Sequence, residues 1–149
     1  MTVSRAVAVV AIALISSSAS AQTKPGDLPA GPPKKEPKVF PLGQSWLIAS
    51  LNGKAYTAGS DRPAFTIDKQ FRAKGFGGCN TYATVAYPLK DQGIAVGPFA
   101  LTKRACAKEI MTAEHAFLVA LRGAQKWDLV GGQLVIQGPA GELKFDRSI

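Results

Sequence analysis

Residues 75–82 have the sequence GFGGCNTY, and residues 101–106 have the sequence LTKRAC. These two segments contain the only two cysteines of the 149-residue chain, Cys79 and Cys106. The glycines in front of Cys79 allow a bulge or a close approach of another backbone, because glycine has no side chain. The two segments therefore indicate a small, tightly coiled β domain.

The first 21 residues have the pattern of a signal peptide. Arg5 provides a positive charge, residues 6–15 form an apolar run of ten, and residues 19–21 form a small-residue cleavage site. A membrane anchor is the alternative, but a hydrocarbon core needs about 20 apolar residues. No cysteine lies near the cleavage point, so a lipid-anchored precursor is not expected. We therefore expect cleavage before Gln22, no transmembrane segment after cleavage, and a periplasmic or secreted protein.

A proline-rich segment follows the signal peptide. Residues 22–41 contain six of the ten prolines and four lysines. Proline fixes φ and removes an amide donor, so this segment does not fit a helix interior or a sheet. We expect residues 22–42 to form a disordered tether, and residues 43–149 to form one folded β domain, long enough for a single core.

The folded segment is dominated by short stretches with a period of two. Two turn signals, Asn52-Gly53 and Gly131-Gly132, suit hairpins because both central residues of a type I′ turn have positive φ. Strand alternation also places Tyr82 and Tyr87 on opposite faces. Strands are expected at residues 45–51, 64–67, 70–73, 81–87, 93–96, 99–102, 126–130, 134–137 and 142–145.

One segment has a helical period instead. Its apolar residues are Ile110, Ala113, Phe117, Ala120, Leu121 and Ala124. Acidic residues toward its start and Arg122 in its last turn agree with the helix dipole. The fold class that follows is mainly β (α+β): an antiparallel, strongly curled, barrel-like sheet with one covering α-helix.

Four blocks of residues occur in order along this folded segment. They are WLIASLNGK at 46–54, GFGGCNTY at 75–82, TKRAC at 102–106 and EHAFLVAL at 114–121. Followed by a closing β-meander, they resemble the META domain family, which includes the heat-inducible HslJ-type proteins of bacterial envelopes. The similarity covers about residues 44–145. The positions that match the family motif, taken as structural, are Trp46, Gly75, Gly78, Asn80, Tyr82, Thr102 and Arg104.

The resemblance carries expectations about fold and function. It implies a compact β-barrel-like domain with one helix. It also implies a family in which no enzymatic reaction is established, and in which stress tolerance and roles in the envelope or in secretion are suggested. Members that are lipoproteins carry a leader cysteine, which this chain lacks, so membrane anchoring is not carried over.

The cysteines have a chemistry of their own. Cys79 and Cys106 are separated by 26 residues, which excludes a C-x-x-C redox motif. Two cysteines and one histidine cannot complete a usual four-ligand zinc site without carboxylates, so no metal is expected. A disulfide would stabilise the domain by about 3.5 kcal/mol on the chain-entropy model. Two buried free thiols are the alternative, and the expected export favours the disulfide.

The remaining polar residues do not form a catalytic pattern. His115 is the only histidine, and neighbouring Glu114 points elsewhere because adjacent helix residues diverge. We expect His115 to be solvated, and Arg104 to pair with Glu109 or Glu114. Recognised nucleophile, zinc-protease, phosphate-binding and dinucleotide motifs are absent from the sequence. The sequence therefore predicts no catalytic residue, no cofactor and no enzyme activity.

The charge of the chain bears on its partners. The formal net charge is +8, and +7 without Arg5. For an exported protein this favours weak attraction to anionic envelope surfaces, with simple solubility as the alternative. Basic residues are not interleaved with a row of aromatic residues, so no nucleic acid is expected. We expect a monomer.

Three functions are compared on this basis. The first is an exported, non-catalytic accessory domain that binds or protects an unknown envelope component, linked to stress or toxic-compound tolerance. The second is an inhibitor-type module that docks onto an extracellular enzyme, which an exposed apolar patch would favour. The third is an enzyme of unknown class, which carboxylates clustered in a cleft would favour.

Overall fold

The computed structural model describes residues 36–149. The signal peptide expected at residues 1–21 and most of the expected tether lie outside the described residues. No helix within residues 36–149 has both the length and the apolar character needed to cross a membrane.

The described residues form ten strands and one helix. The strands are β1 (Ser45–Leu51), β2 (Lys54–Ala55), β3 (Ala64–Ile67), β4 (Arg72–Phe76), β5 (Thr81–Pro88), β6 (Ile94–Val96), β7 (Ala100–Leu101), β8 (Lys126–Val130), β9 (Gln133–Gly138) and β10 (Gly141–Arg147). Helix α1 (Lys108–Arg122) lies between β7 and β8. The strand order is β6-β5-β4-β3-β1-β10-β9-β8, with β2 paired to β1 and β7 to β5. All of these strand pairs are antiparallel.

The two ends of this strand order come together at one point. The Ile94 amide donates to the Gln125 carbonyl (3.0 Å), and the Trp127 amide donates to the Gln92 carbonyl (2.9 Å). Gly93 and Lys126 form an isolated antiparallel bridge between them. The sheet therefore curls into a nearly closed barrel shape, which confirms the predicted fold class.

The predicted turns have the predicted backbone. Asn52 and Gly53 have φ of 51° and 75°, and Gly131 and Gly132 have φ of 58° and 84°. Positive φ at both central residues matches the twist of the flanking strands. These turns connect β1 to β2 and β8 to β9, at the positions that the sequence predicted.

The core lies inside the barrel, and α1 contributes to it. Phe117 of α1 is fully buried, and its ring centroid lies 6.2 Å from that of Phe145 in β10. Phe145 in turn lies 6.0 Å from Phe65 of β3. Burying a phenylalanine side chain contributes roughly 1.5–3 kcal/mol, so this contact between helix and sheet anchors α1.

Strand β4 begins two residues later than the sequence predicted, at Arg72 rather than Gln70. The carboxylate of Asp68 accepts the amides of Gln70 and Arg72, each at 2.9 Å, and so holds a turn there. Phe71 has a φ of 61° within that turn. These side-chain hydrogen bonds compete with strand pairing for the amides of Gln70 and Arg72, and this displaces the start of β4.

The folded domain also begins earlier than residue 43. Phe40, which the sequence analysis assigned to the tether, is 6% exposed and packs edge-to-face on Trp127, with ring centroids 5.0 Å apart. Lys38 donates to the Leu129 carbonyl at 3.0 Å and to Asp128. That hydrogen bond from Lys38 holds the pKa of Asp128 below its ordinary value. The proline-rich pattern of this segment therefore led to a wrong assignment of Phe40, which packs into the core.

Replacing Phe40 with alanine is expected to lower the free energy of unfolding by about 2 kcal/mol. This cost is smaller than for a phenylalanine at the barrel centre, because the chain end around Phe40 can rearrange to fill the gap. Urea unfolding followed by tryptophan fluorescence measures the change. The matched control is Val39→Ala, since Val39 is 83% exposed and should be neutral. Equal stability of the Phe40 variant and the wild type would place residue 40 outside the folded unit.

Candidate functional site

The two cysteines meet where the β4–β5 loop approaches the start of α1. Their sulfur atoms lie 1.98 Å apart, and their Cα atoms 6.0 Å apart. Cys79 is 1% exposed. The structure therefore joins the predicted pair, and the bond ties the loop to the segment that leads into α1.

A buried carboxylate lies beside the disulfide. Glu114 of α1 is 6% exposed. Its Oε2 accepts the backbone amides of Cys79 (2.9 Å) and Asn80 (2.5 Å), and its Oε1 accepts Nδ2 of Asn80 (2.8 Å). Three N–H donors thus surround one carboxylate. From the sequence, Glu114 was expected only as a candidate partner of Arg104, and not as an acceptor of loop amides.

The glycines of residues 75–78 make room for this arrangement. A Cβ at Gly77 would lie 2.7 Å from Oε2 of Glu114, and a Cβ at Gly75 would lie 1.9 Å from the Ala64 carbonyl oxygen. That same carbonyl accepts the hydroxyl of Tyr82 at 2.7 Å. The expected close approach is therefore present, and its cause is a carboxylate on one side and a neighbouring strand on the other.

Asn80 connects Glu114 to the segment before α1. Its Oδ1 accepts the backbone amide of Arg104 (2.7 Å) and the hydroxyl of Thr102 (3.0 Å). The Thr102 Oγ1 in turn accepts the amide of Thr81 at 3.1 Å. Asn80 therefore holds residues 102–104 next to the start of β5, close to the disulfide.

The predicted ion pair of Arg104 is wrong. Glu114 turns inward to the loop amides, and among residues 36–149 the guanidinium of Arg104 pairs with neither Glu114 nor Glu109. Arg104 contributes its backbone amide instead, while its side chain is exposed. Helix periodicity marks the face a residue occupies, but it does not reveal which backbone amides lack partners.

The aromatic residues of the motif lie inside the barrel. Trp46 and Tyr82 are each 3% exposed, and burial raises the pKa of Tyr82 well above its ordinary value. Tyr87 is 45% exposed, as strand alternation predicted. Tyr56 places a buried hydroxyl near Gly78, and burial, together with the charge of Glu114, raises its pKa.

This arrangement does not bring acid–base groups together at the surface. His115 is exposed, whereas Glu114 is directed into the fold. Within the part of the chain that the structure describes, no group of three or more histidine, cysteine, aspartate or glutamate side chains is placed to hold a metal ion. The cluster around Glu114 fixes the loop, α1 and the segment before it in one arrangement.

The outer side of α1 presents a different kind of surface, here named the α1 face. Its apolar residues are Phe99, Leu101, Met111, Leu118 and Val119. Its basic residues are Lys103, Arg104, Lys108 and Arg122. Three shallow depressions make up this face. It lies next to the motif residues Asn80, Thr102 and Arg104 and is open to a partner.

Comparison with known proteins identifies the family. The model of the META domain matches residues 40–148. The chain belongs to the META domain family. The predicted resemblance is therefore confirmed, and the match begins at Phe40, where the folded domain begins.

Solved structures share the META-domain fold of this chain. A protein from Burkholderia xenovorans, solved by NMR, is 24% identical, with a TM-score of 0.55, covering 81% of this chain and 99% of that one. Another NMR structure is 21% identical, with a TM-score of 0.56, covering 69% and 87%. A crystal structure of a DUF4847-family protein from Bacteroides vulgatus is 12% identical, with a TM-score of 0.53, covering 69% and 91%. No curated protein matches the chain.

Proposed function

We propose that this META-domain protein is exported to the periplasm or secreted, and acts there as a non-catalytic accessory domain. In this role it binds or protects a component of the cell envelope, under stress or exposure to a toxic compound. The observation that carries the proposal is the engagement of its reactive groups. Cys79 and Cys106 are joined, and Glu114 is occupied by three hydrogen bonds. With these groups engaged inside the fold, we expect the domain to act by binding other molecules at its surface.

An inhibitor-type module is the second candidate. The apolar α1 face meets the condition that the sequence analysis attached to that function. A tight protein interface needs packed pockets at its centre, however, and this face is a shallow surface along a helix. The accessory role therefore takes precedence. An enzyme is the third candidate, and the inward direction of Glu114 speaks against it.

Deletion of the gene is expected to reduce resistance to an envelope stress or a toxic compound. The full-length chain should restore resistance, and a variant without residues 2–21 should not, because it would remain in the cytoplasm. Intact-mass analysis of the exported protein should find a chain that begins at Gln22. Restoration by the variant without the leader would contradict the envelope role. Turnover of a substrate by the purified protein, lost on His115→Ala, would favour the enzyme.

A further inference from the structure

The depressions on the α1 face are parts of one surface. Leu101 and Leu118 both line the depression toward the end of α1 and the middle depression. Met111 lines the middle depression and also the one next to Cys106. The shared residues make the surface continuous from the start of α1 to its last turn.

Three apolar side chains of this surface are accessible, beside the exposed His115, which lines all three depressions. Leu101, Met111 and Val119 are 44%, 45% and 44% exposed. Leu118 is buried beneath them, and Phe99 packs against Tyr82 with ring centroids 5.3 Å apart. The two supporting residues connect the face to the core, so its shape is held by the barrel. Adjacent exposed apolar residues with a rigid base are typical of a contact surface.

The charge around this centre is positive. Lys103, Arg104 and Lys108 form no ion pair with any residue between 36 and 149. Arg122 donates to the Val96 carbonyl and lines the depression toward the end of α1. Among the residues that line the three depressions, Glu114 is the only one with a carboxylate, and it lines the middle depression alone. Its oxygens face the amides of Cys79 and Asn80. These hydrogen bonds direct the Glu114 oxygens toward the β4–β5 loop rather than toward the basic residues of this face.

Glu109 is the acidic residue closest to the α1 face along the helix. It lines a fourth depression with Lys108, Thr112, Ala113 and Ala116, and this depression shares Lys108 and Thr112 with the one next to Cys106. Glu109 therefore borders the α1 face next to Lys108, whereas the middle depression places Lys103 and Arg104 beside Leu101 and Met111 without it.

We propose that the α1 face docks the domain onto the surface of an anionic lipid bilayer. The inference rests on the proposed function, since it gives the envelope component a chemical class. Leu101, Met111 and Val119 would enter the boundary between headgroups and acyl chains, and the basic residues would contact phosphate groups. Apolar insertion with positive charges at its border is how peripheral domains bind such membranes.

The shape of the face favours a bilayer over an acidic protein. A stable protein partner needs a complementary area of about 800 Å² on each side with packed pockets at its centre. The α1 face has shallow depressions rather than packed pockets, and its three exposed apolar side chains line them. A fluid lipid surface adapts to such a shape, because headgroups and chains rearrange around each inserted residue.

Sedimentation with lipid vesicles tests the proposal directly. The exported protein with its natural N-terminus is mixed with vesicles of phosphatidylcholine, with or without phosphatidylglycerol. Binding is expected only with phosphatidylglycerol, and it should weaken as salt rises from about 0.05 M to about 0.5 M. Absence of binding to the anionic vesicles would overturn the proposal, as would equal binding to both compositions.

Charge variants separate the α1 face from general attraction. Neutralising Lys103 and Arg104 to glutamine should weaken binding about 25-fold, at about fivefold for each cationic residue near an anionic surface. The control neutralises Lys69 and Lys74, which are exposed elsewhere and give the same net charge. Lysines in the proline-rich segment act equally in both proteins. An equal loss in the control would contradict docking through the α1 face.

Apolar variants test insertion. Replacing Leu101 and Val119 with serine should weaken binding about tenfold, by removing exposed apolar area that enters the bilayer. The control replaces Val85 and Leu89, which are 41% and 54% exposed and lie outside the face. Val119→Trp should show a blue shift of the added fluorescence with anionic vesicles alone. An unshifted spectrum would overturn the insertion of this face.

Failure of the lipid docking can be distinguished from failure of the proposed function. If vesicles do not bind but export and complementation behave as expected, the lipid docking is wrong and the envelope role stands. If the variant without the leader complements, the envelope role is wrong whatever the vesicles show.

Discussion

Replacing Glu114 with alanine is expected to lower the free energy of unfolding by about 3–5 kcal/mol. The substitution leaves the amides of Cys79 and Asn80 and the side-chain amide of Asn80 without their acceptor. Each buried donor without a partner costs about 1–3 kcal/mol, and a charged acceptor stands at the upper end of that range. Equilibrium urea unfolding at neutral pH measures the loss.

Two further variants sharpen this test. Glu109→Ala is the control, because Glu109 is exposed in the first turn of α1 and accepts no side-chain hydrogen bond among residues 36–149. Its effect should stay within about 0.5 kcal/mol. Glu114→Gln keeps one oxygen acceptor and should be less destabilised than the alanine variant. Equal stability of Glu114→Ala and Glu109→Ala would show that the cluster does not stabilise the fold.

Replacing both Cys79 and Cys106 with serine is expected to cost about 3.5 kcal/mol. The disulfide closes a loop with a sequence separation of 27, and the chain-entropy model assigns this stabilisation to restriction of the unfolded chain. Thermal and urea unfolding of the double variant measure the effect. Removing the bond should not abolish a specific activity, because its role is structural.

Reduction provides the matched control for the disulfide. A reductant should destabilise the wild type by a similar amount and leave the double variant unchanged. Alkylation of the freshly isolated exported protein without reductant should label neither cysteine. Labelling of both thiols in that protein would contradict a disulfide formed in the cell, whatever the stability of the variants.

The elements that depend on neighbouring residues were predictable from the sequence. Asn52-Gly53 and Gly131-Gly132 produce positive φ at hairpin turns because local sterics decide their backbone. The apolar period of α1 likewise placed Phe117 and Leu121 in the core. The turn between residues 67 and 70 was expected, but its extension to Phe71 and the anchoring of Phe40 were missed, since each depends on a competing contact that the local pattern does not contain.

The candidate site was predictable only in part. Cys79 and Cys106 could be paired because they are the only cysteines and export was expected. The role of Asn80 was not predictable from its neighbours, because its side-chain partners Thr102, Arg104 and Glu114 lie 22, 24 and 34 residues away. Glu114 could not be assigned, because a glutamate on a helix is usually solvated, and its partners lie 34 and 35 residues away.

By itself, the sequence of this META-domain protein determined the strand and helix pattern, the principal turns and the identity of the cysteine pair. Those features follow from local sterics, apolar periodicity and residue chemistry. Tertiary structure alone decided that Glu114 faces the loop amides and that the basic and apolar residues around α1 share one surface. Long-range contacts determine both, because the direction of a charged side chain depends on which buried donors the folded chain brings near it.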